Sequence, residues 1–389
     1  MKKIIIILII MLSVLSGFSQ NTDSIISQIT RNNITLKALA KSNTADSLGN
    51  RTDIYLQNPE IGFNYLFGNP SGIGNRTDFN VLQTFDFPTA YIYKSQISDL
   101  KNEQLQYSYQ QQYKTIVLQT KLICIDLIYY NLLIKEYTKR FANAEKIAKS
   151  YKSKFDIGEA NILEYNKAEL NKLNTSKELE KLEIEKNALL NELTGLNGNI
   201  PITFTDTVFF ENQIPLDFEL WYAEAEKRNP VLSWLKLEIE LSEKQENLNT
   251  AMSLPKFKTG YMSEFTAGQN FQGISFGISI PLWENKNKIK YAELKTEAMQ
   301  NYESANKLQY YNSLKSLHAK AIALQNSVNE YETNLQTFNN SELLYKALDK
   351  GEIDLINYIL ELSFYYESYS NLLDMERELQ KVIAEMYQY

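Results

Sequence analysis

Few side chains in this sequence suit acid–base, nucleophilic or metal chemistry at neutral pH. Of 389 residues one is His (His318) and one is Cys (Cys124). A lone His excludes a multi-histidine metal site and leaves little for proton transfer near neutrality. A lone Cys excludes an internal disulfide framework and any cysteine-rich metal centre. Cys124 follows Ile123 in an apolar stripe, where a thiol packs as a small hydrophobe, and His318 lies between Leu317 and Ala319 as a packing or surface residue. The sequence has no phosphate-cradling P-loop, no G-x-S-x-G elbow and no H-E-x-x-H pair. No enzyme, catalytic residue, cofactor or metal site is therefore expected. What remains is charge. Acids outnumber bases 47 to 40, which argues against a nucleic-acid partner. Carboxylates gather after two glycines: Glu159 and Glu164 follow Gly158, and Glu352, Asp354 and Glu361 follow Gly351. Acids in a helix's first turn favour that terminus, and acids crowded at one end attract cations.

The elements around these glycines repeat. Asn58-Pro59-Glu60-Ile61-Gly62-Phe63-Asn64-Tyr65, a polar loop, Phe79 to Phe87 and Pro88 are matched by Leu254-Pro255-Lys256-Phe257-Lys258-Thr259-Gly260-Tyr261, a polar loop, Ile274 to Ile280 and Pro281. Pro88 to Gly158 and Pro281 to Gly351 both span 70 residues, and both landmarks are offset by 193. Arg31-Asn32-Asn33 resembles Arg228-Asn229-Pro230 at a similar offset. The chain is two copies of one unit: a first repeat over 20–197, a link over 198–214 and a second repeat over 215–389.

Between each Pro and Gly runs a seven-residue apolar pattern. It reads Ile123, Leu127, Tyr130, Ile134, Tyr137, Phe141, Ala144, Ala148, Tyr151, Phe155 in the first copy, and Tyr310, Leu314, Leu317, Ala321, Leu324, Val328, Tyr331, Leu335, Phe338 in the second. Such a stripe implies supercoiled helix packing. It predicts helices over about 89–155 and 160–195, and over about 282–348 and 353–387. Gly158 and Gly351 suit the left-handed residue that ends a helix, so each copy holds an antiparallel helical hairpin with its tip at the Gly. At roughly 1.5 Å per residue, 70 helical residues measure about 105 Å, more than a compact domain's diameter.

The segments ahead of each Pro alternate, predicting β-hairpins over about 59–87 and 255–280. Ile61, Phe63, Tyr65 and Phe67 oppose Gly62, Asn64 and Gly68; Ile274, Phe276, Ile278 and Ile280 oppose Gly273, Ser275, Gly277 and Ser279. An outer-membrane barrel strand needs apolar-out, small-or-polar-in alternation over 9–11 residues. A half-buried hairpin packed on the helices would alternate in the same way. In the membrane case Phe63, Tyr65, Phe276 and Ile278 face lipid. Four strands cannot close a barrel, so that case also requires several chains. At the N-terminus, Lys2 and Lys3, an apolar run from Ile4 to Leu15 and the small residues of Gly17-Phe18-Ser19 mark 1–19 as a secretory signal peptide, too short in its apolar part to span a bilayer. No Cys follows the run to carry a lipid anchor.

Taken in order, these landmarks resemble the TolC family of outer-membrane efflux channels. The residues that carry the resemblance are Ile280-Pro281-Leu282-Trp283 with Asn285-Lys286-Asn287-Lys288, Gly158 through Ala168-Glu169-Leu170, Gly351 through Asn357, and Leu193-Thr194-Gly195. It covers nearly all of the chain after residue 19. The resemblance implies a mainly α fold with a small membrane β part. Two repeats of long coiled-coil hairpins and two β-hairpins would assemble as a homotrimeric α-barrel/β-barrel tube. It implies a Gram-negative outer-membrane location reaching into the periplasm, with 198–214 in an equatorial belt. It also implies a periplasmic adaptor (membrane fusion protein) docking at Gly158 and Gly351, and an inner-membrane pump. Phe87-Pro88-Thr89 with Tyr91 and Lys94 resembles members that work with pumps of the resistance–nodulation–division type. In that family acids near the tips narrow the pore. Glu164, six positions after Gly158, falls there; the matching place in the second copy is Asn357, a departure from the pattern, with Asp354 and Glu361 nearby. The function implied is a passive exit duct for small toxic compounds, drugs or metal ions. A non-transport coiled-coil envelope protein or adhesin would account for the heptads and signal peptide but not for the paired hairpins.

Overall fold

The computed structural model describes residues 20–210 and 213–389; the expected signal peptide, 1–19, lies outside the described residues. Both halves lay down their elements in one order. The first half has helices α1 (Gln20–Asn32) and α2 (Ile34–Gly49) and strands β1 (Glu60–Leu66) and β2 (Arg76–Phe85). The 69-residue α3 (Pro88–Asp156) and the returning α4 (Ile162–Leu196) complete it. The second half has α5 (Phe218–Arg228), α6 (Pro230–Met252), β3 (Lys256–Thr266), β4 (Gln269–Ser279), α7 (Lys288–Thr337), α8 (Ser341–Asp349) and α9 (Leu355–Met386). The two Arg-Asn motifs mark the joint between the leading helices of each half. Asn33 Oδ1 accepts from the Leu36 N–H at 3.0 Å, and Asn229 Oδ1 from the Val231 N–H at 2.8 Å. These side chains satisfy N–H groups that a helix start leaves without partners.

The expected helix over 282–348 is not continuous. It starts at Lys288, because Asn287 takes a left-handed φ of 66° and Asn285 Nδ2 donates to the Met252 carbonyl at 2.6 Å, holding the chain in turns. It stops at Thr337, because Asn339 Oδ1 accepts from the Ser341 N–H at 3.2 Å and its hydroxyl at 2.7 Å. Asn side chains offer the backbone local partners that compete with the helical ladder. The first copy has no such break in α3.

The chain divides into two compact units. One comprises the residues up to Lys37 with Gln112–Ala225 and Tyr311–Tyr389. Its buried clusters are Ile147, Ala148, Tyr151, Ala168, Leu355, Tyr358 and Leu362, and Ala321, Val328, Leu372, Leu379, Val382, Ile383 and Met386. Ala148, Tyr151, Ala321 and Val328 come from the apolar stripes, and they pack against residues of the returning helices α4 and α9 such as Ala168, Leu362 and Leu379. Among the described residues α3 alone holds a stretch long and apolar enough to cross a membrane, and half of that stretch is buried within this chain. A side-chain network closes the end of α4: Asn197, fully buried, accepts from Asn32 Nδ2 at 3.0 Å and donates to the Ile200 carbonyl at 2.8 Å.

The other unit comprises Ala38–Gln111 and Glu226–Tyr310. It holds one antiparallel sheet of order β1-β2-β3-β4, so the two hairpins, far apart in sequence, join through β2 and β3. The register sets the faces. Ile61 pairs with Val81, Val81 with Tyr261 and Tyr261 with Ile274; Phe85 pairs with Phe257 and Phe257 with Ile278. All stand on one face, because directly opposed residues point the same way. The other face carries the ion pairs Lys258–Glu60 and Arg76–Glu264, both at 3.0 Å. Gly260 lets Val81 approach: a Cβ there would lie 2.0 Å from the Val81 carbonyl oxygen.

Candidate functional site at the paired helical turns

The structure brings the two glycine turns to one place. Gly158 and Gly351 adopt φ of 78° and 74°, the left-handed region that favours Gly. Each turn closes with the same bond. The N–H of Glu159 donates to the Lys154 carbonyl and that of Glu352 to the Ala347 carbonyl, at 2.8 and 2.9 Å. Such i+5 bonds satisfy the carbonyls at a helix end. Side chains from both hairpins, Tyr151 and Ala168 from the first and Leu355 and Tyr358 from the second, then share one cluster.

The acids after each Gly start the returning helices. Asn161 Oδ1 accepts from the Glu164 N–H and Glu164 Oε2 from the Asn161 N–H, both at 2.9 Å: a reciprocal capping box. In the second copy Asp354 caps α9, its Oδ1 accepting from the Asn357 N–H at 2.8 Å and its Oδ2 from Asn357 Nδ2 at 3.2 Å. The two copies thus use one amide and one carboxylate each, with the positions exchanged. This explains the departure at Asn357. The turn keeps its carboxylate but carries it at the cap rather than three residues on. Both carboxylates reach one group, because Tyr151, its phenol raised by burial, is raised further by the charges of Glu164 and Asp354. Glu361 is exposed and lines a groove with Tyr331, Phe338 and Phe364 instead.

Above the turns, Arg140 fastens α3 to α9. Its guanidinium lies 3.9 Å from the Tyr366 ring centre and 4.6 Å from that of Tyr137. Its Nε donates to Glu136 Oε1 at 3.1 Å and its Nη2 to the Tyr366 carbonyl at 3.3 Å. Burial pushes the Tyr366 phenol up to about 12. Cys124 is fully buried and its thiol is pushed up to about 12 by burial, which makes it unreactive. His318 Nε2 lies 2.7 Å from the Pro215 carbonyl and its ring packs on Phe218. It therefore pins the start of the second repeat, just beyond the link. Among the described residues no group of three or more His, Cys, Asp or Glu could hold a metal ion.

In the second unit the apolar sheet face is open. Phe63 is 66% exposed, Phe276 80% and Ile278 66%, with Tyr65 close behind. The strand and turn residues expected to act therefore fall into two groups in two units: Phe63, Tyr65, Phe276 and Ile278 on one sheet face, and Gly158, Gly351, Glu164, Asp354 and Asn357 at the turns.

No family model and no curated protein matches this sequence. Solved structures do. The Campylobacter jejuni CmeC outer membrane channel superposes with a TM-score of 0.78 at 12% identity, covering 95% of this chain and 85% of that one. CusC, solved in a study of folding and transmembrane channel formation, gives 0.77 at 14% identity, covering 94% and 91%. The open-state Neisseria gonorrhoeae MtrE outer membrane channel gives 0.71 at 12% identity, covering 95% and 88%. The chain has the fold of these outer-membrane channels. The likeness extends over nearly the whole chain, hairpins and long helices alike.

Proposed function

We propose that this chain is the outer-membrane exit channel of a tripartite efflux system, passive itself and driven by an inner-membrane pump through a periplasmic adaptor. The observation that carries this reading is the sheet: the outer edges of β1 and β4 have no strand partner among the described residues, and one face is apolar and exposed. Lipid does not tolerate open strand edges. Three copies, pairing β4 of each with β1 of the next, close a barrel of about 12 strands. Phe63, Tyr65, Phe276 and Ile278 then meet lipid, and the face with Lys258 and Arg76 lines the lumen.

The protein accordingly sits in a Gram-negative outer membrane as a homotrimer, with its helical hairpins in the periplasm. The turns at Gly158 and Gly351 are where the adaptor docks and the duct closes, with Glu164, Asp354, Asn357 and Glu361 at the closed mouth. The pump is of the resistance–nodulation–division type, and the cargo is small toxic compounds, drugs or metal ions. The fold shared with CmeC and MtrE supports this reading. A coiled-coil spacer would have no use for an apolar sheet with open edges.

The test is membrane fractionation followed by cross-linking in mild detergent. The reading expects heat-modifiable trimers in the outer membrane; a monomer with full helicity contradicts it. In planar bilayers, E164Q/D354N/E361Q should lower cation preference. Gln still completes a capping box and Asn still caps a helix, so this variant removes charge and keeps the turns.

A further inference from the structure

Where β4 gives way to α7, the second copy carries exposed side chains that neither the sheet nor the glycine turns account for. β4 has 11 residues. At about 3.4 Å per residue and a tilt of about 45°, it rises about 26 Å, which matches the apolar band of an outer-membrane barrel, about 25 Å tall. The residues that follow it therefore leave the hydrocarbon and enter the headgroup layer. Three of them are apolar and open to solvent in the single chain: Ile280, Leu282 and Trp283, the last 81% exposed. Trp is enriched at the membrane–water boundary, because its ring is apolar while its N–H needs a polar partner.

The backbone holds two cations beside these residues. The Lys286 N–H donates to the Trp283 carbonyl at 3.2 Å, and the Lys288 N–H to the Asn285 carbonyl at 3.1 Å. Asn249 Nδ2 on α6 donates to the Lys288 carbonyl at 3.1 Å, next to the bond from Asn285 to Met252. Both lysines are exposed. The carboxylates around them are engaged elsewhere, Glu284 with Lys256 at 3.1 Å and Glu293 with Lys290 at 3.0 Å. Lys288 Nζ donates to the neutral Asn285 Oδ1 at 3.0 Å, and among the described residues neither Lys286 nor Lys288 makes an ion pair. The first copy shows that the fold does not require these cations. Tyr93 and Ser95 stand at the matching positions, and the lysine between them, Lys94, is neutralised by Asp86 at 2.9 Å.

We propose that the segment 280–288 seats an anionic phospholipid of the inner leaflet. Lys286 and Lys288 donate charge-assisted hydrogen bonds to its phosphate, Trp283 lies level with its ester carbonyls, and Ile280 and Leu282 meet its acyl chains. The inference rests on the membrane reading above, in which the helices leave the barrel on the periplasmic side, where the inner leaflet lies. A trimer then carries three such seats, each where α7 leaves the barrel.

The test uses the full chain refolded into vesicles of phosphatidylcholine, with and without phosphatidylglycerol. Heat-modifiable trimers are then purified in mild detergent, and the lipid they retain is measured by mass spectrometry. A lysine near an anionic surface is worth roughly fivefold in binding. Bulk lipid dilutes the signal, so the parent should retain phosphatidylglycerol over phosphatidylcholine at least about threefold above the vesicle ratio. K286Q/K288Q should fall to the vesicle ratio. K286Q alone, which has no side-chain bond to lose, should lower it and decides the matter if the double variant does not assemble. K152Q/K181Q removes the same charge from exposed positions on α3 and α4 and should retain lipid as the parent does. The fluorescence that the parent has and W283F lacks should be quenched more by lipid brominated near the headgroup than by lipid brominated at the chain end. Trimers that retain no excess phosphatidylglycerol, unchanged retention by K286Q/K288Q or by K286Q, an equal loss in K152Q/K181Q, or no preference for shallow quenching would overturn this inference and leave the membrane reading standing. A parent chain that forms no heat-modifiable trimers in either vesicle would overturn both.

Discussion

Placing an arginine on the apolar sheet face tests the membrane reading most directly. Phe276 is 80% exposed on β4, opposite Thr259, and its face-mates Ile274 and Ile278 are 75% and 66% exposed. Ser275, the adjacent residue, pairs with Gly260 and points to the other face, among Gly273 and Gly277. An arginine at a lipid-facing midplane position costs about 2–4 kcal/mol. That shifts the insertion equilibrium of one chain by roughly 30- to 800-fold at about 1.4 kcal/mol per decade. A barrel built from three chains carries the cost three times, about 6–12 kcal/mol, comparable with the whole stability of a typical domain. Phe276→Arg should therefore abolish barrel assembly. Ser275→Arg, placed towards a water-filled lumen, should leave it largely intact. The assay is refolding from urea into lipid vesicles, read as heat-modifiable bands, beside the yield of each variant in the outer-membrane fraction. Equal yields for the two variants would refute lipid contact at this face, and a lower yield for Ser275→Arg would reverse the assignment of faces.

Replacing Gly158 or Gly351 by Ala should lower stability to urea by about 1–2 kcal/mol each. The φ values are 78° and 74°, and an added Cβ meets nothing within 4 Å, so the loss is backbone strain alone. Gly195→Ala, in helix α4 and equally open, should instead gain up to about 1 kcal/mol. With Trp at both turn positions the side chains stand in open space, so trimers should still form while export in whole cells falls; normal export would place docking elsewhere. Arg140→Met should cost about 2–3 kcal/mol in denaturant midpoints, because Glu136 is left unpaired beside two rings that have lost their cation. The Glu376 carboxyl is raised from 4.5 to about 7, so the folded state holds its proton more tightly than the unfolded state does. That contribution to stability is full below about pH 4.5 and is lost as pH rises through about 7. Thermal melts of the parent should therefore fall over that window, and those of Glu376→Gln should show a smaller change.

The turns were legible because their signals are local. A Gly 70 residues beyond a Pro, in both copies, marks a helix end. The Asn161-x-x-Glu164 spacing spells a capping box that the backbone then forms. The strands were legible for the same reason: alternation with a period of two assigns each residue a face before any partner is known. The break at 338–340 was written in Asn339-Asn340-Ser341, but an apolar stripe running to Phe338 outweighs two amides in any periodic count. The leading helices α1 and α2 carry no long stripe, and their joint appears only as an Asn that caps.

What the sequence alone determined, then, is the repeat, the helical hairpins with their glycine tips and the alternation of the strands, all set by torsional preference and short-range spacing. Tertiary structure decided the rest. Pairing of β2 with β3 joins residues about 180 positions apart, such as Val81 and Tyr261, and no local pattern specifies that register. The sharing of one cluster by both turns and the clasp of Arg140 on Tyr366 likewise depend on which helix faces oppose one another. A heptad stripe states that a face will be buried but not against what. The choice among partners is made by packing and desolvation summed over the folded chain, and there the half-buried Glu376 carboxyl gains a property that its own segment does not specify.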